Sequence, residues 1–213
     1  TGCPSIDILN QIDLSLPENI FTSYKGVGVG IDAKKPYVVV LQHPVTTEYG
    51  EGFNQINETL AAIQNLNMQA VWLWPNIDAG SDDVSKGLRT YREKTESNKI
   101  HFYRNFAVED YAKIINNAGC VIGNSSSAIR EGAFLGIPAV NIGTRQSGRE
   151  HGPNIIHTSY DHEEIYKAVK HQLTHDRYPS SNIFGDGNAG KRIVDVLSKC
   201  ELNIKKQLHY TFD

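Results

Sequence analysis

Cysteine is scarce. Cys3, Cys120 and Cys200 are the only three in 213 residues, and they lie far apart. An odd, scattered set is not a disulfide framework; it points to a reducing compartment, so a cytoplasmic location is expected. Positive charge is not in excess either: 21 Lys and Arg stand against 24 Asp and Glu, a formal net charge of −3. Nothing in that balance supplies the electrostatic footprint of a nucleic-acid binder, so no nucleic-acid partner is expected. No apolar run reaches membrane-spanning length and no signal peptide is visible, so no membrane partner is expected. A Gly-x-Ser-x-Gly elbow, a Walker loop, internal repeats and low-complexity tracts are all missing. What is left is ordinary for a globular domain, 39% apolar and 21% charged. The opening Thr1-Gly2-Cys3-Pro4 reads as mid-chain sequence, and the N-terminal part of a longer protein is expected ahead of it.

The most informative stretch that is present runs from Gly119 to Arg149, GCVIGNSSSAIREGAFLGIPAVNIGTRQSGR. Cys120-Val121-Ile122 has the continuous apolar character of a strand buried on both faces. Gly123-Asn124-Ser125-Ser126-Ser127 breaks it. Ala128, Ile129, Ala133, Phe134 and Leu135 then recur at helical spacing until Gly136-Ile137-Pro138 stops them, and Ala139-Val140-Asn141-Ile142 starts another strand. A helix N-terminus thus leaves the carboxyl end of a strand carrying hydroxyls. Its free N–H groups and dipole suit an anion such as phosphate. Capping of the helix by Ser125 or Ser126 is the plainer account of a single serine; three serines with Arg145 downstream favour a phosphate site.

The rest of the chain repeats the alternation. Strands are expected at 37–41, 70–74, 100–103, 120–122 and 139–142, with an edge strand near Ile155-Ile156. Helices are expected after a Ser5 cap, over 53–66, to about residue 96, over 108–117 with Glu109 or Asp110 as cap, and over 161–175 and 188–199. Residues 22–36 are glycine-rich and read as a flexible loop; the spacing of Gly26, Gly28 and Gly30 lacks the strand and helix that a nucleotide loop requires. Strands alternating with helices imply an α/β fold with a doubly wound, Rossmann-like parallel sheet, whose ligands sit beyond the carboxyl ends of the strands. Those ends carry His43, Asn76, Phe106, Ser125, Ser126 and the loop 143–149 with Arg145 and Arg149. His43 is either a general acid or base at a strand tip or a structural histidine. Glu131, one turn beyond Ser127, either accepts hydrogen bonds from a ribose diol or is an exposed helix carboxylate paired with Arg130. His171 and His175 lie four apart, but Gln172 stands where the HExxH pattern needs glutamate, so no zinc site is read there.

TGCPSID at 1–7, LQHPVTTE at 41–48, PNIDAGS at 75–81, GCVIGNSSSAIRE at 119–131, NIGTRQSGRE at 141–150 and FGDGNAGKRI at 184–193 together resemble the hydrolysing UDP-N-acetylglucosamine 2-epimerases, nearest the branch serving sialic and related nonulosonic acids. The resemblance implies the C-terminal, UDP-binding half of a two-domain GT-B architecture: a connecting segment at 1–12, a Rossmann-like domain at 13–180, and a terminal helix and tail at 181–213 returning towards an N-terminal domain. It implies Ser125 and Ser126 on the diphosphate, Glu131 on the ribose, and Arg145 and Asn76 beside the diphosphate. The backbone near Phe106 would meet the uracil, with His43 at the reacting centre. It further implies UDP-GlcNAc or a diacetamido-dideoxy relative as substrate and elimination of UDP followed by addition of water. No metal or redox cofactor is implied, and homo-oligomers are expected of the full-length protein, mainly through the other domain. The acidic residues of C2 proton chemistry would belong to that other domain. A GT-B glycosyltransferase and a non-catalytic UDP-sugar binding module are the alternatives.

Overall fold

Tyr37-Val38-Val39-Val40-Leu41 is fully buried, and its side chains alternate between two apolar layers. Val38 and Val40 face one layer, while Tyr37, Val39 and Leu41 face the other, as a pleated strand with period two requires. In the computed structural model, which describes residues 1–95 and 99–201, this strand is the middle of a seven-stranded sheet. Residue 96, to about which a helix is expected to run, and the expected tail from 202 to Asp213 lie outside the described residues.

In chain order the strands are β1 (Gly26–Gly28), β2 (Tyr37–Leu41), β3 (Gln69–Leu73), β4 (Ile100–Tyr103), β5 (Cys120–Gly123), β6 (Ala139–Ile142) and β7 (Ile155–Thr158). Their order in the sheet is β1-β4-β3-β2-β5-β6-β7, and every pair is parallel except β1 with β4. From β2 the chain winds outwards through β3 to β4, then returns to the other side of β2 with β5 and winds outwards again. The direction of winding therefore reverses between β2 and β5. At such a reversal the flanking connections depart to opposite faces and open a crevice at the carboxyl ends of the strands.

The helices are α1 (Pro4–Leu9), α2 (Gly52–Asn65), α3 (Ser81–Lys94), α4 (Val108–Asn116), α5 (Ser126–Leu135), α6 (His162–Leu173) and α7 (Ala189–Leu197). Ile56, Leu60 and Ile63 of α2, Val84 and Leu88 of α3, and Ile165 and Val169 of α6 fill one layer. Ile114 and Ile115 of α4 and Ala128 and Ile129 of α5 fill the other, with Phe21 and Ile31 from the loops. Ile6 and Leu9 of α1 pack on Ala112 and Phe134. The doubly wound α/β fold expected from the alternation is the fold observed.

Four details differ from expectation. Residues 26–28 are an edge strand, not loop: Val27 pairs antiparallel with Phe102. A Cβ on Gly28, whose φ is 131°, would lie 2.3 Å from the Ile100 carbonyl oxygen, so glycine permits this close approach and also hides the strand from a propensity reading. The sheet is accordingly mixed at that edge. Helix α1 starts at Pro4 with Cys3 as N-cap, because proline is already set for the first helical position; Ser5 lies inside the helix, its Oγ 3.1 Å from Cys3 Sγ. Ala107, not Glu109 or Asp110, precedes α4, and the Asp110 carboxylate instead accepts from Tyr24 Oη at 2.7 Å and Lys113 Nζ at 3.1 Å.

Candidate functional site

The crevice at the reversal is a cleft of about 1100 Å³. His43 beyond β2, Asn76 and Asp78 beyond β3, Arg104 and Asn105 beyond β4, Tyr111 of α4, and Ser125, Ser126 and Arg130 at α5 all line it. They come from four strand ends because the four strands are parallel and end on one rim.

His43 is 5% exposed. Its Nδ1 accepts the backbone N–H of Asn76 at 3.1 Å. A nitrogen that accepts carries no proton, so the neutral ring holds its hydrogen on Nε2. Burial pushes the His43 pKa down to about 4, the Arg145 cation pushes in the same direction, and Asp78 opposes both. At neutral pH the group is a neutral donor rather than an imidazolium.

The turn from β5 into α5 is set by Gly123. Its φ is 128°, and a Cβ there would fall 2.1 Å from the Leu41 carbonyl oxygen, so the chain can turn out of β5 beside β2 at this point only as glycine. Asn124 follows, fully buried. Ser125 is the N-cap: its Oγ accepts the Ser127 N–H at 3.3 Å and lies 3.1 Å from Ser127 Oγ, which lies 2.7 Å from Tyr111 Oη. Burial raises the Tyr111 pKa to about 12, so its hydroxyl stays protonated. Ser126 occupies the first helical position and lines the cleft.

Loop 143–149 closes one side. Arg145 Nη1 donates to the Asn124 carbonyl at 3.3 Å and Nη2 lies 3.5 Å from Asp78 Oδ2. Gln146, 2% exposed, donates from Nε2 to the same carbonyl at 2.7 Å. Thr144 Oγ1 donates to Glu48, which also accepts from Tyr160 Oη at 2.9 Å and Gln55 Nε2 at 2.6 Å. Burial works against ionisation of Glu48, but these three donors outweigh it and lower the pKa.

Of the residues singled out in the sequence, His43, Asn76, Ser125 and Ser126 share the cleft. Arg145 stands at its margin, lining an adjoining pocket of about 250 Å³ with Asp78 and Thr144. Glu131 does not line the cleft; Oε1 accepts from Arg130 Nη2 at 3.4 Å, and Oε2 is buried without a partner among the described residues. The Phe106 ring is in the core, 4.7 Å from the Tyr24 ring and 4.8 Å from that of Tyr103, and its backbone N–H donates to Asn105 Oδ1 at 2.9 Å. Gln172 proves structural: fully buried, its Nε2 donates to the carbonyls of Ala139 and Asn154. Among the described residues no three His, Cys, Asp or Glu side chains gather as a metal-binding set, and no helix is long and apolar enough to cross a membrane.

Sequence reasoning passed over Asn124, Gln146, Tyr111 and Glu48. Asn124 alone left a signal, a polar residue placed where a fully buried strand turns towards the serines.

The family model described as UDP-N-acetylglucosamine 2-epimerase matches residues 1–198. The chain is 26% identical over 213 residues to a UDP-N-acetylglucosamine 2-epimerase of Neisseria meningitidis serogroup B, covering 98% of this chain and 54% of that protein. It is 27% identical to a UDP-N,N'-diacetylbacillosamine 2-epimerase (hydrolyzing) of Legionella pneumophila, covering 95% and 52%. In structure it is similar to the UDP-GlcNAc 2-epimerase of Methanocaldococcus jannaschii in complex with UDP-GlcNAc and UDP, with TM-score 0.64, 17% identity, and 92% and 53% of the two chains covered. The chain thus spans about half the length of the relatives it matches.

Proposed function

Because the chain belongs to the UDP-N-acetylglucosamine 2-epimerase family, we propose that its cleft binds the uridine diphosphate of a UDP-amino sugar and that the full-length protein is a hydrolysing 2-epimerase in sialic or nonulosonic acid biosynthesis. The observation that carries this reading is the pairing, within one cleft, of a hydroxyl-bearing helix N-terminus with a neutral histidine donor.

In this reading the diphosphate rests on Ser125, Ser126 and the first-turn N–H groups of α5, with Arg145 and Asn76 beside it. Glu131, beside the cleft-lining Arg130 and with its buried Oε2 unpartnered among the described residues, takes the ribose hydroxyls, and the backbone at Phe106 meets the uracil. A base removes the C2 proton, the C1–O bond breaks, and UDP leaves with the electron pair. His43 donates its Nε2 hydrogen bond to the departing phosphate oxygen, where negative charge grows. Water then adds to the 2-acetamidoglucal to give the free 2-epimeric sugar. The groups that handle the C2 proton are assigned to the other domain of the full-length protein.

Calorimetry of this chain with UDP tests the site, and absence of binding overturns it. Incubating the full-length protein with UDP-GlcNAc, and separately with its diacetamido-dideoxy relative, tests the reaction. Free 2-epimeric sugar and UDP, formed without an acceptor, are expected. Dependence of UDP release on an acceptor would make the protein a glycosyltransferase, and binding without turnover would make it a binding module.

A further inference from the structure

The ladder between β2 and β5 ends at the pair Leu41–Gly123, because Gly123 turns the chain away. Two residues beyond the end of β2, His43 is still buried, and both its N–H and its C=O need partners. Asn124 supplies both from one side chain. Its Oδ1 accepts the His43 N–H at 2.7 Å, and its Nδ2 donates to the His43 carbonyl at 2.8 Å. The amide stands in for the peptide group that a longer strand would have offered. Its orientation is fixed by the pattern, since a flipped amide would set donor against donor and acceptor against acceptor.

The main chain of Asn124 is committed as well. Its N–H donates to the Leu41 carbonyl at 3.2 Å, and its carbonyl accepts from Gln146 Nε2 and Arg145 Nη1. Asn124 is fully buried and is not among the residues lining the cleft. Its side chain therefore acts on His43 and not on a ligand. The imidazole, in turn, has among the described residues the Asn76 N–H on Nδ1 as its one hydrogen-bond partner to set its rotation. Backbone placement by Asn124 and ring placement by Asn76 together aim Nε2.

We infer that Asn124 is a positioning residue for His43, its side-chain amide closing a paired hydrogen bond on the histidine backbone across the β2–β5 crevice. This rests on the proposal that the cleft binds UDP and that His43 assists its departure.

The test uses the full-length protein and three substitutions. Asn124→Asp keeps the shape but cannot donate to the His43 carbonyl. Asn124→Ser removes both bonds, and His43→Ala removes the group being positioned. Expected for the two Asn124 variants is a fall in kcat of about 10–100-fold, the range for a misplaced reacting group. UDP affinity by calorimetry should stay within about twofold of the unsubstituted protein, as for independent sites. Combining Asn124→Ser with His43→Ala should add nothing to the loss from His43→Ala, since both remove one function. In Asn124→Asp the His43 resonance should titrate at higher pH than before, with Arg145 and Asp78 still in place, while those of His157 and His162 stay put.

Additive losses, an unmoved His43 titration, or a loss of UDP affinity with kcat retained would each overturn the inference. Should the variants not fold, hydrogen exchange on the unsubstituted protein decides: the His43 amide and the Asn124 side-chain amide must be protected, and rapid exchange of either overturns it. UDP binding by the unsubstituted protein is measured first, so failure of the binding proposal is seen separately from failure of this one.

Discussion

His43 works, on this account, as a neutral imidazole, and that has consequences for pH. Its folded pKa of about 4 lies below the unfolded value of about 6.5. The sign follows: burying the neutral ring adds no penalty above pH ~6.5, and stability is lost as pH falls from there through the folded pKa. His43→Ala should therefore show a smaller drop in urea midpoint between pH 7 and pH 4.5 than the unsubstituted protein. In the full-length protein the same substitution should lower kcat at least about 100-fold, the lower end for a general acid or base. A near-normal kcat with a raised KM would make His43 a binding residue. Ser126→Ala would remove the hydrogen bond proposed to a charged phosphate, worth about 1.5–3 kcal/mol, and should weaken UDP about 10–150-fold by calorimetry. Glu131→Gln should weaken UDP more than pyrophosphate if the carboxylate reads ribose; equal losses would remove that assignment. At this scale the sequence showed the chemically loud residues. Gln146 stayed silent because an amide has no charge or periodicity to announce it, and the polar break at Asn124 did not say what its amide holds, since its partner His43 lies 81 residues away.

Two elements owe their place to single residues. Helix α7 carries no side-chain cap of its own, but Asp7 of α1 accepts the N–H groups of Ala189 at 2.9 Å and Gly190 at 2.6 Å. Asp7→Ala should destabilise the chain by about 1–2 kcal/mol, read in denaturant unfolding, with the earliest hydrogen exchange in α7. Gly123→Ala combines a left-handed φ with a 2.1 Å clash and should cost about 3 kcal/mol or more by the same measurement. The buried strands and amphipathic helices were legible because β2 and β5 are unbroken apolar runs, β6 is broken only by Asn141, and α2 keeps its stripe of Ile56, Leu60 and Ile63. What escaped were features set by distant partners. Strand β1 exists because β4 offers it an edge, and the carboxylate expected to cap α4 is drawn away by Tyr24, 86 residues distant.

Across the whole molecule, the two windings bring separate segments to one rim, and this is why the alternation of elements in the sequence is enough to gather His43, Asn76 and the serines. It is not enough to order the strands, since periodicity does not say which neighbours pair. With the cleft present and the C2 proton chemistry assigned to the other domain, this chain by itself is expected to bind UDP without converting UDP-GlcNAc. Release of UDP by the isolated chain, followed by chromatography, would overturn that division of labour.

The β2–β5 junction also bears on how the protein folds. It joins Val38 to Cys120 and Leu41 to Gly123 across the entire excursion through β3 and β4. Each half of the sheet can gather from contacts nearer in sequence, but this seam closes a long loop before its pairing repays the lost chain entropy. The cleft straddles the seam, so UDP, if it binds there as proposed, would recognise only molecules in which the seam has closed. Ligand should leave the refolding rate nearly unchanged and slow unfolding, because it grips a contact made after the rate-limiting barrier. Stopped-flow traces with and without UDP would show this as a displaced unfolding limb alone; acceleration of refolding would mean that the seam forms first.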